Sequence, residues 1–292
     1  MHNPFHTTEA EETEDQQLIE SALGGSSAAL ESLIKRHQHY IYNVALKLAL
    51  SPVDAEDITQ EVLVKMVTRL GQFQGKSSFR TWLYRITFNH FLKMKKRPLE
   101  SQITTFEQYG EDLDSIPYHD LSEEEQIEQR ELIVEAKLGC MSGMILCLSR
   151  EQRLVYILGE LFEVNHNVGA ELLEITPANF RKRLERARRD LYQFMNRKCG
   201  LINKANPCRC ARKTTGFIAA GWVDKQKMRF NTDYVRTIQD TVPQRNTQLD
   251  HLLEQDYAAL FQDTPFQEKP HADRLLATLF SDPKVRETFN LS

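Results

Sequence analysis

The sequence has no long apolar run and few signs of β-structure. No stretch of about eighteen apolar residues occurs in the 292-residue chain, so a membrane span is not expected. Alternation of apolar and polar residues is scarce, whereas apolar residues recur at the i, i+3, i+4 spacing of amphipathic helices. The polar, acidic N-terminus lacks the features of a signal peptide. We therefore expect an all-α cytoplasmic protein that does not associate with a membrane.

The residue groups that enzymes need are also missing. The sequence contains no glycine-rich loop for phosphate binding, and His37, His39, His90 and His166 form no metal or acid–base pattern with carboxylates. Five cysteines, an odd number, do not predict a disulfide framework. We therefore expect a protein that is not an enzyme and that acts by binding.

A net charge of only −4 hides an uneven distribution of charge. Residues 76–97 contain seven Lys or Arg and no acid, and residues 181–213 contain twelve Lys or Arg against two acids. Between these blocks, residues 100–135 contain twelve acids and a single base, Arg130. The pattern predicts two surfaces that bind polyanions, joined by a segment that repels them.

The first basic block lies on a predicted helix that carries two apolar stripes. The first stripe consists of Phe79, Trp82, Leu83 and Ile86, and we expect Phe79, Leu83 and Ile86 to pack in the core. The second stripe consists of Tyr84, Phe88 and Phe91. Aromatic residues at helical spacing are usually core, but aromatic rings with basic neighbours also bind single-stranded nucleic acid by stacking and by phosphate contacts. We predict that the face carrying the second stripe works on opened DNA.

The second basic block follows the pattern of a helix, a short turn and another helix. Further helices are predicted near 15–24, 27–50, 54–70 and from Ser149 onward. A short helix at 167–173 precedes Thr176, an expected N-cap, and Pro177 at the first helical position. In a helix-turn-helix the start of the second helix reaches base edges in the major groove. The alternative is a solvated basic face.

Taken together, these segments resemble the sigma-70 family of bacterial RNA polymerase sigma factors, in its extracytoplasmic-function (ECF) branch. The stretch DAEDITQEVLVKMVTRLGQFQGKSSFRTWLYRITFNHFLKMKKR resembles region 2. The pieces LSREQRLVYILGELF and VGAELLEITPANFRKRLERAR resemble region 4. Glu174 and Ala178 depart from the family, which usually has glycine there. If position 174 is left-handed, a non-glycine residue costs about 1 kcal/mol.

The resemblance implies four segments and three groups of functional residues. The segments are region 2 at 1–98, an acidic linker at 99–135, region 4 at 136–198 and a C-terminal extension at 199–292. The residues implied to bind the clamp helices of core RNA polymerase are Asp57, Gln60 and Glu61. The residues implied at the −10 element are Arg80, Trp82, Arg85, Asn89, Lys93, Lys95, Lys96 and Arg97, with Trp82 near the fork and Asn89 at a flipped base. The residues implied at the −35 element are Asn179, Arg181, Lys182, Arg183, Glu185 and Arg186.

Two functions are consistent with these features. A sigma factor would bind core RNA polymerase, through its clamp helices and flap, together with promoter DNA, and its acidic linker would lie in the RNA-exit path. An anti-sigma factor is a further candidate partner. The alternative is an autonomous helix-turn-helix regulator that binds duplex DNA without polymerase. Residues 54–97 favour the sigma factor, because a simple regulator has no use for them.

The C-terminal extension contains three closely spaced cysteines, Cys199, Cys208 and Cys210. Zinc needs four ligands, so the set is one short unless His251 or His271 joins it. A redox-active thiol pair is another option, and a basic loop with partly buried thiols is the default, so no cofactor is expected. Helices are predicted near 233–261 and 271–282. We expect the extension to regulate the rest of the chain in cis.

Overall fold

The computed structural model describes residues 7–96, 98–102 and 105–226, with positions 281, 283 and 285. Regular structure in these residues is helical, apart from an isolated bridge between Cys199 and Cys208. The all-α prediction is therefore confirmed. No helix in the described ranges is long and apolar enough to span a membrane. Arg97, His251 and His271, and nearly all of the two helices predicted after residue 232, lie outside the described residues.

The helices are labelled here in chain order. The first four are α1 (Glu9–Leu23), α2 (Ser27–Ala49), α3 (Pro52–Thr68) and α4 (Phe79–Lys93). The next four are α5 (Pro98–Gln102), α6 (Phe106–Ser115), α7 (Glu123–Glu128) and α8 (Arg130–Leu146). The last four are α9 (Arg150–Tyr156), α10 (His166–Leu172), α11 (Pro177–Lys198) and α12 (Cys210–Ala219). A 3₁₀ turn at Leu70–Gln72 follows α3, and a π-helical turn at Ile157–Leu161 continues α9.

The chain divides into two compact units. The first contains the described residues up to Lys95 and those from Phe162 to Phe180. The second contains Lys96 to Leu161 and the described residues from Arg181 to 226. The domain boundaries implied by the family resemblance stay predictions.

The first unit is built on α1 to α4, and each helix begins at a side-chain cap. The caps are Thr8, Ser26, Ser51 and Ser78, whose hydroxyls accept hydrogen bonds from backbone N–H groups of the first turn. Such caps satisfy donors that the helix itself leaves unpaired. Helix α2 packs against α1 and α3, and α4 packs against α1, α2 and α3. The result is a core in which Leu33, Ile58 and Phe91 are fully buried.

The acidic segment differs from the mobile linker that its composition predicts, because it contains α5, α6 and α7. Thr105 caps α6, and Tyr109, Leu113 and Ile116 are buried along one side of the segment. Glu100 of α5 is also buried, and its carboxylate accepts hydrogen bonds of 2.6 and 2.8 Å from Arg150. Burial of a few apolar residues thus orders a segment whose high acid content suggests a linker.

The described part of the extension packs on the helices of this acidic segment and on α8. Helix α12 contacts α8. Buried Lys213 of α12 donates hydrogen bonds to the carbonyls of Leu113, at 2.7 Å, and Ile116. Lysine in this position satisfies carbonyls that are left unpaired where α6 ends. The Trp222 ring stacks on those of Tyr109 and Phe217, with centroid distances of 5.8 and 5.2 Å.

Candidate nucleic-acid interface

Helix α4 is buried on more sides than its sequence suggests. Tyr84, Phe88 and Phe91 of the second stripe are 1%, 2% and 0% exposed, so the prediction that this stripe works on DNA is wrong. The reason is that α4 packs against four helices, α1, α2, α3 and α10, rather than one. Phe79 and Leu83 of the first stripe are buried as predicted, whereas Trp82 and Ile86 are half-buried.

The accessible part of α4 is a narrow strip of polar and basic residues around Trp82. Arg85 and Asn89 follow Trp82 at intervals of three and four residues, and Lys93 follows after four more, so all four lie on one side of the helix. Asn89 and Lys93 are exposed, and Lys95 and Lys96 extend the basic surface beyond the end of α4. This strip keeps the residue types that base recognition and phosphate binding need. We name it the α4 strip: Trp82, Arg85, Asn89, Lys93, Lys95 and Lys96.

Trp82 is held in place by neighbouring rings. Its ring stacks on Phe79, with centroids 5.5 Å apart and planes 25° apart, and lies 5.6 Å from Phe73. Ser78, the N-cap residue, fixes the start of the helix one turn earlier. A half-buried indole with one side packed on protein is preorganised to present its remaining surface to a base.

Arg80 lies elsewhere, in the protein interior, and this corrects its predicted place on the DNA surface. Its side chain is 2% exposed, and its Nη2 donates a hydrogen bond of 3.1 Å to Glu11 of α1. The guanidinium also lies over the Tyr40 ring, 4.1 Å from its centroid. A buried, paired arginine of this kind ties helices together instead of contacting a ligand.

Arg85 of the α4 strip forms an ion pair within the first unit. Its Nη2 lies 3.0 Å from the carboxylate of Glu171 on α10. The side chains of Arg85 and Glu171 are 27% and 59% exposed, so the pair is accessible to solvent and its net strength is small. A phosphate could therefore replace Glu171 at little cost.

The predicted polymerase-docking residues lie together on α3. Asp57 and Glu61 are exposed and Gln60 is half-buried, as expected for residues that share one face of a helix. Glu61 lies 3.8 Å from Lys65, whose ammonium contacts the His90 imidazole of α4. Burial lowers the pKa of Lys65, and Glu61 acts in the opposite direction. The acidic face thus adjoins α4, the helix that carries the α4 strip.

The turn and the two helices predicted around residue 175 are present. The Thr176 hydroxyl accepts a hydrogen bond of 3.2 Å from the N–H of Asn179, and α11 begins at Pro177. Glu174, at the position where the family usually has glycine, has φ of +54° and is therefore left-handed. Gly169 of α10 lies against the ring of Phe180, where an added Cβ would be 2.5 Å from the ring. Close packing of this kind sets the angle at which α11 leaves the turn.

The start of α11 presents most of the predicted −35 residues to solvent. Five are exposed: Asn179, Arg181, Lys182, Glu185 and Arg186. Arg183 differs, because it is half-buried and its Nη1 lies 3.1 Å from Glu151 of α9. Arg188 pairs with Glu160 in the same way. Arg183 and Arg188 therefore help to hold α9 and its π-helical continuation against α11.

The three cysteines of the extension gain a neighbour that the sequence did not indicate. Cys140 of α8 lines the same small cavity as Cys199, Cys208 and Cys210, and all four are free thiols. A spacing pattern within the extension cannot reveal a residue nearly 60 positions earlier, so sequence reasoning missed Cys140. In the described residues, no three His, Cys, Asp or Glu side chains stand as a ready metal site.

The chain was compared with known protein families and with curated relatives. Residues 33–97 match the family described as Sigma-70 region 2, a range that contains every predicted polymerase and −10 residue. RNA polymerase sigma-H factor of Pseudomonas aeruginosa is 36% identical over 95 residues, which cover 31% of this chain and 49% of that protein. ECF RNA polymerase sigma factor SigE of Mycolicibacterium smegmatis is 27% identical over 175 residues, which cover 59% of this chain and 64% of that protein.

A third relative is matched over nearly its whole length. ECF RNA polymerase sigma-E factor of Escherichia coli K12 is 27% identical over 184 residues, covering 61% of this chain and 93% of that protein. By contrast, the chain spans about half of the sigma-H relative and under two thirds of SigE. Among solved structures, CnrH in complex with the cytosolic domain of CnrY matches with 19% identity and a TM-score of 0.43, covering 63% of this chain and 98% of that one.

Proposed function

Because the chain belongs to the ECF branch of the sigma-70 family, we propose that it binds bacterial core RNA polymerase and directs promoter-specific initiation of transcription. The observation that carries the proposal is the α4 strip. Because α1 to α4 pack closely together, the α4 strip is a rigid, positively charged and partly aromatic surface. Such a surface suits opened DNA better than duplex DNA, because stacking needs an accessible base face.

In this proposal the α4 strip holds the −10 element after the strands separate. Trp82 stacks at the fork, where each base–aromatic contact contributes about 1–3 kcal/mol. Asn89, exposed one turn from Arg85, offers a carboxamide that can pair with the edge of a flipped base. Lys93, Lys95 and Lys96 bind phosphates without reading sequence. Arg80 has no place in this step, because it is buried against Glu11.

The remaining contacts follow from the other two exposed faces. We propose that Asp57, Gln60 and Glu61 bind the clamp helices of core polymerase, since an exposed acidic face is complementary to a basic partner. Asn179, Arg181, Lys182, Glu185 and Arg186 are proposed to read the −35 element in the major groove. An anti-sigma factor that competes with polymerase would be expected to cover the same α3 face.

The test is run-off transcription by purified core RNA polymerase on a genomic promoter library, with and without the full-length protein. Promoter-specific transcripts that depend on the protein are expected. Asn89→Ala and Trp82→Ala should reduce these transcripts about 5- to 150-fold, because each removes roughly 1–3 kcal/mol of contact to opened DNA. Binding to core polymerase should be unchanged in both variants.

A matched control distinguishes a specific contact from general charge loss. Lys93→Ala removes a cation from the α4 strip, whereas Lys35→Ala removes an exposed cation from α2, which pairs with Glu31. We expect weaker promoter binding and a smaller salt dependence for Lys93→Ala alone. Duplex DNA binding without core association or new transcripts would contradict the proposal and favour an autonomous helix-turn-helix regulator.

A further inference from the structure

Four cysteines converge on one small cavity in the second unit. The cavity has a volume of about 20 Å³ and is lined by Cys140, Cys199, Cys208 and Cys210. Leu113, Met144 and Phe217 close its apolar side, and Lys198 and Lys213 complete the lining. A volume of this size holds about one water-sized atom. Four thiols around a space for a single atom are the composition of a Cys₄ metal site.

We propose that these four cysteines form a binding site for one thiophilic metal ion, for which Zn²⁺ is the probe. Cys199, Cys208 and Cys210 come from the extension, and Cys140 supplies the fourth ligand that their spacing lacks. The ion would displace the thiol protons to solvent as four metal–sulfur bonds form. The site is independent of the proposed role in transcription.

The backbone of the extension is already fixed around the proposed site. Cys199 and Cys208 form an isolated parallel bridge, in which the Gly200 N–H donates a hydrogen bond of 3.1 Å to the Cys208 carbonyl. Arg209 closes the loop, since its Nη1 donates to the carbonyls of Asn206 at 2.6 Å and Cys208 at 3.0 Å. Two ligands are thus held side by side before any ion binds, which reduces the entropy that binding must offset.

Gly200 shows how closely this loop is packed. An added Cβ at Gly200 would lie 2.2 Å from the Cys208 carbonyl oxygen and would overlap the Arg209 guanidinium. The side chain of Asn206 also donates a hydrogen bond of 3.2 Å to the Cys199 carbonyl. The segment between Cys199 and Cys208 is therefore a closely packed turn.

The sulfur atoms need a small rearrangement to hold an ion. In their present positions the four thiols do not form a group that could hold a metal ion. Tetrahedral zinc with Zn–S bonds of about 2.3 Å requires sulfurs about 3.8 Å apart. Rotation about the Cα–Cβ bonds moves a sulfur without moving the backbone.

Nearby cations favour a metal site. Burial raises the pKa of all four thiols. Lys137, Arg209 and Lys213 act in the opposite direction on individual thiols. Four thiolates around a divalent ion carry a net charge of −2, which these cations would offset.

The experiment measures metal binding by the reduced full-length protein. We expect about one Zn²⁺ per chain, and a Co²⁺ complex with thiolate-to-cobalt charge-transfer absorption. Cys140→Ser should weaken Zn²⁺ binding by more than the roughly 10- to 100-fold that loss of a supporting residue costs. Cys147→Ser is the matched control, because Cys147 ends the same helix and contacts the carbonyls of Gly143 and Thr105, away from the cavity.

A second measurement avoids variants that fail to fold. The wild-type protein is alkylated with and without saturating Zn²⁺, and each cysteine is quantified by mass spectrometry. We expect Zn²⁺ to protect the four cavity cysteines and to leave Cys147 unaffected. No binding at micromolar Zn²⁺, wild-type affinity in a folded Cys140→Ser variant, or a Cys199–Cys208 disulfide in place of metal would each overturn the proposal.

Discussion

Arg80 of α4 and Glu11 of α1 form an ion pair of 3.1 Å that joins two helices 69 positions apart in the sequence. The Tyr40 ring of α2 covers the guanidinium at 4.1 Å. One side chain thus ties three helices together. Because α4 is one of these three helices, the pair helps to fix the position of the α4 strip.

The first prediction concerns Arg80→Met, which keeps an unbranched apolar side chain and removes the charge. Loss of hydrogen bonds to a charged group should lower the free energy of unfolding of the first unit by about 1–3 kcal/mol. Urea denaturation of the full-length protein measures this change. Lys93→Met, at the exposed end of the same helix, should change stability by no more than about 0.5 kcal/mol. If Arg80→Met weakened promoter binding at unchanged stability, Arg80 would have to leave its buried position to reach DNA.

The second prediction is a pH dependence from Glu11. The Thr8 backbone N–H, and then Arg80, lower the pKa of this carboxyl from 4.5 to about 2, while burial acts the other way. A depressed folded-state pKa adds stability above pH 4.5, and that stability is lost as the pH falls towards 2. Glu11→Gln should therefore destabilise the protein at pH 7 and much less at pH 3, as measured by urea titration. Glu12→Gln, in the same turn but exposed, controls for the loss of one negative charge at the start of α1.

The third prediction concerns the left-handed residue in the turn before α11. Glu174→Gly removes a strain of about 1–2 kcal/mol, and the greater freedom of glycine in the unfolded chain returns about 0.4–1 kcal/mol. We expect a net stabilisation of up to about 1 kcal/mol, visible as a higher unfolding temperature. The same exchange at exposed Glu185, inside α11, should destabilise by about 0.5–1 kcal/mol. Destabilisation by Glu174→Gly would indicate that the glutamate side chain supports the turn.

The fourth prediction compares two adjacent basic residues of α12. Lys213→Met leaves the carbonyls of Leu113 and Ile116 without their donor and should cost about 1–3 kcal/mol. Arg212 pairs with Asp120, whose side chain is 82% exposed, so Arg212→Met should cost no more than about 1 kcal/mol. Hydrogen exchange at the end of α6 should accelerate in the Lys213 variant alone. Equal effects of the two variants would contradict the assigned role of Lys213.

Several helix starts were predictable from cap residues, although α1, which Thr8 caps, begins at Glu9 and not near residue 15 as predicted. Ser51 with Pro52, Ser149 with Gln152, and Thr176 with Pro177 all begin helices in the structure. These signals are local, because the capping hydroxyl lies within three residues of the N–H that it accepts. The helix-turn-helix pattern could therefore be predicted from short segments, whereas only the family resemblance drew attention to Glu174.

Features that depend on distant residues were not predictable in the same way. Periodicity assigns Tyr84 and Phe88 to a face of α4, but it does not tell how many helices cover that face. Arg80 looked like a DNA contact because Glu11 and Tyr40 are remote in sequence. Cys140 was overlooked for the same reason. Contacts of this kind are set by tertiary packing, which a single sequence does not display.

The bonds between Lys213 and the end of α6 have a thermodynamic consequence for any partner of the acidic segment. Residues 109–116 cannot be unwound while their carbonyls are bound to Lys213 and their apolar side is covered by α12. A partner that binds this segment in extended form must first release α12. The free energy of that release makes the partner's binding free energy less favourable. The extension would compete with such a partner within one molecule, and tighter docking of α12 would lower the apparent affinity of the chain for that partner.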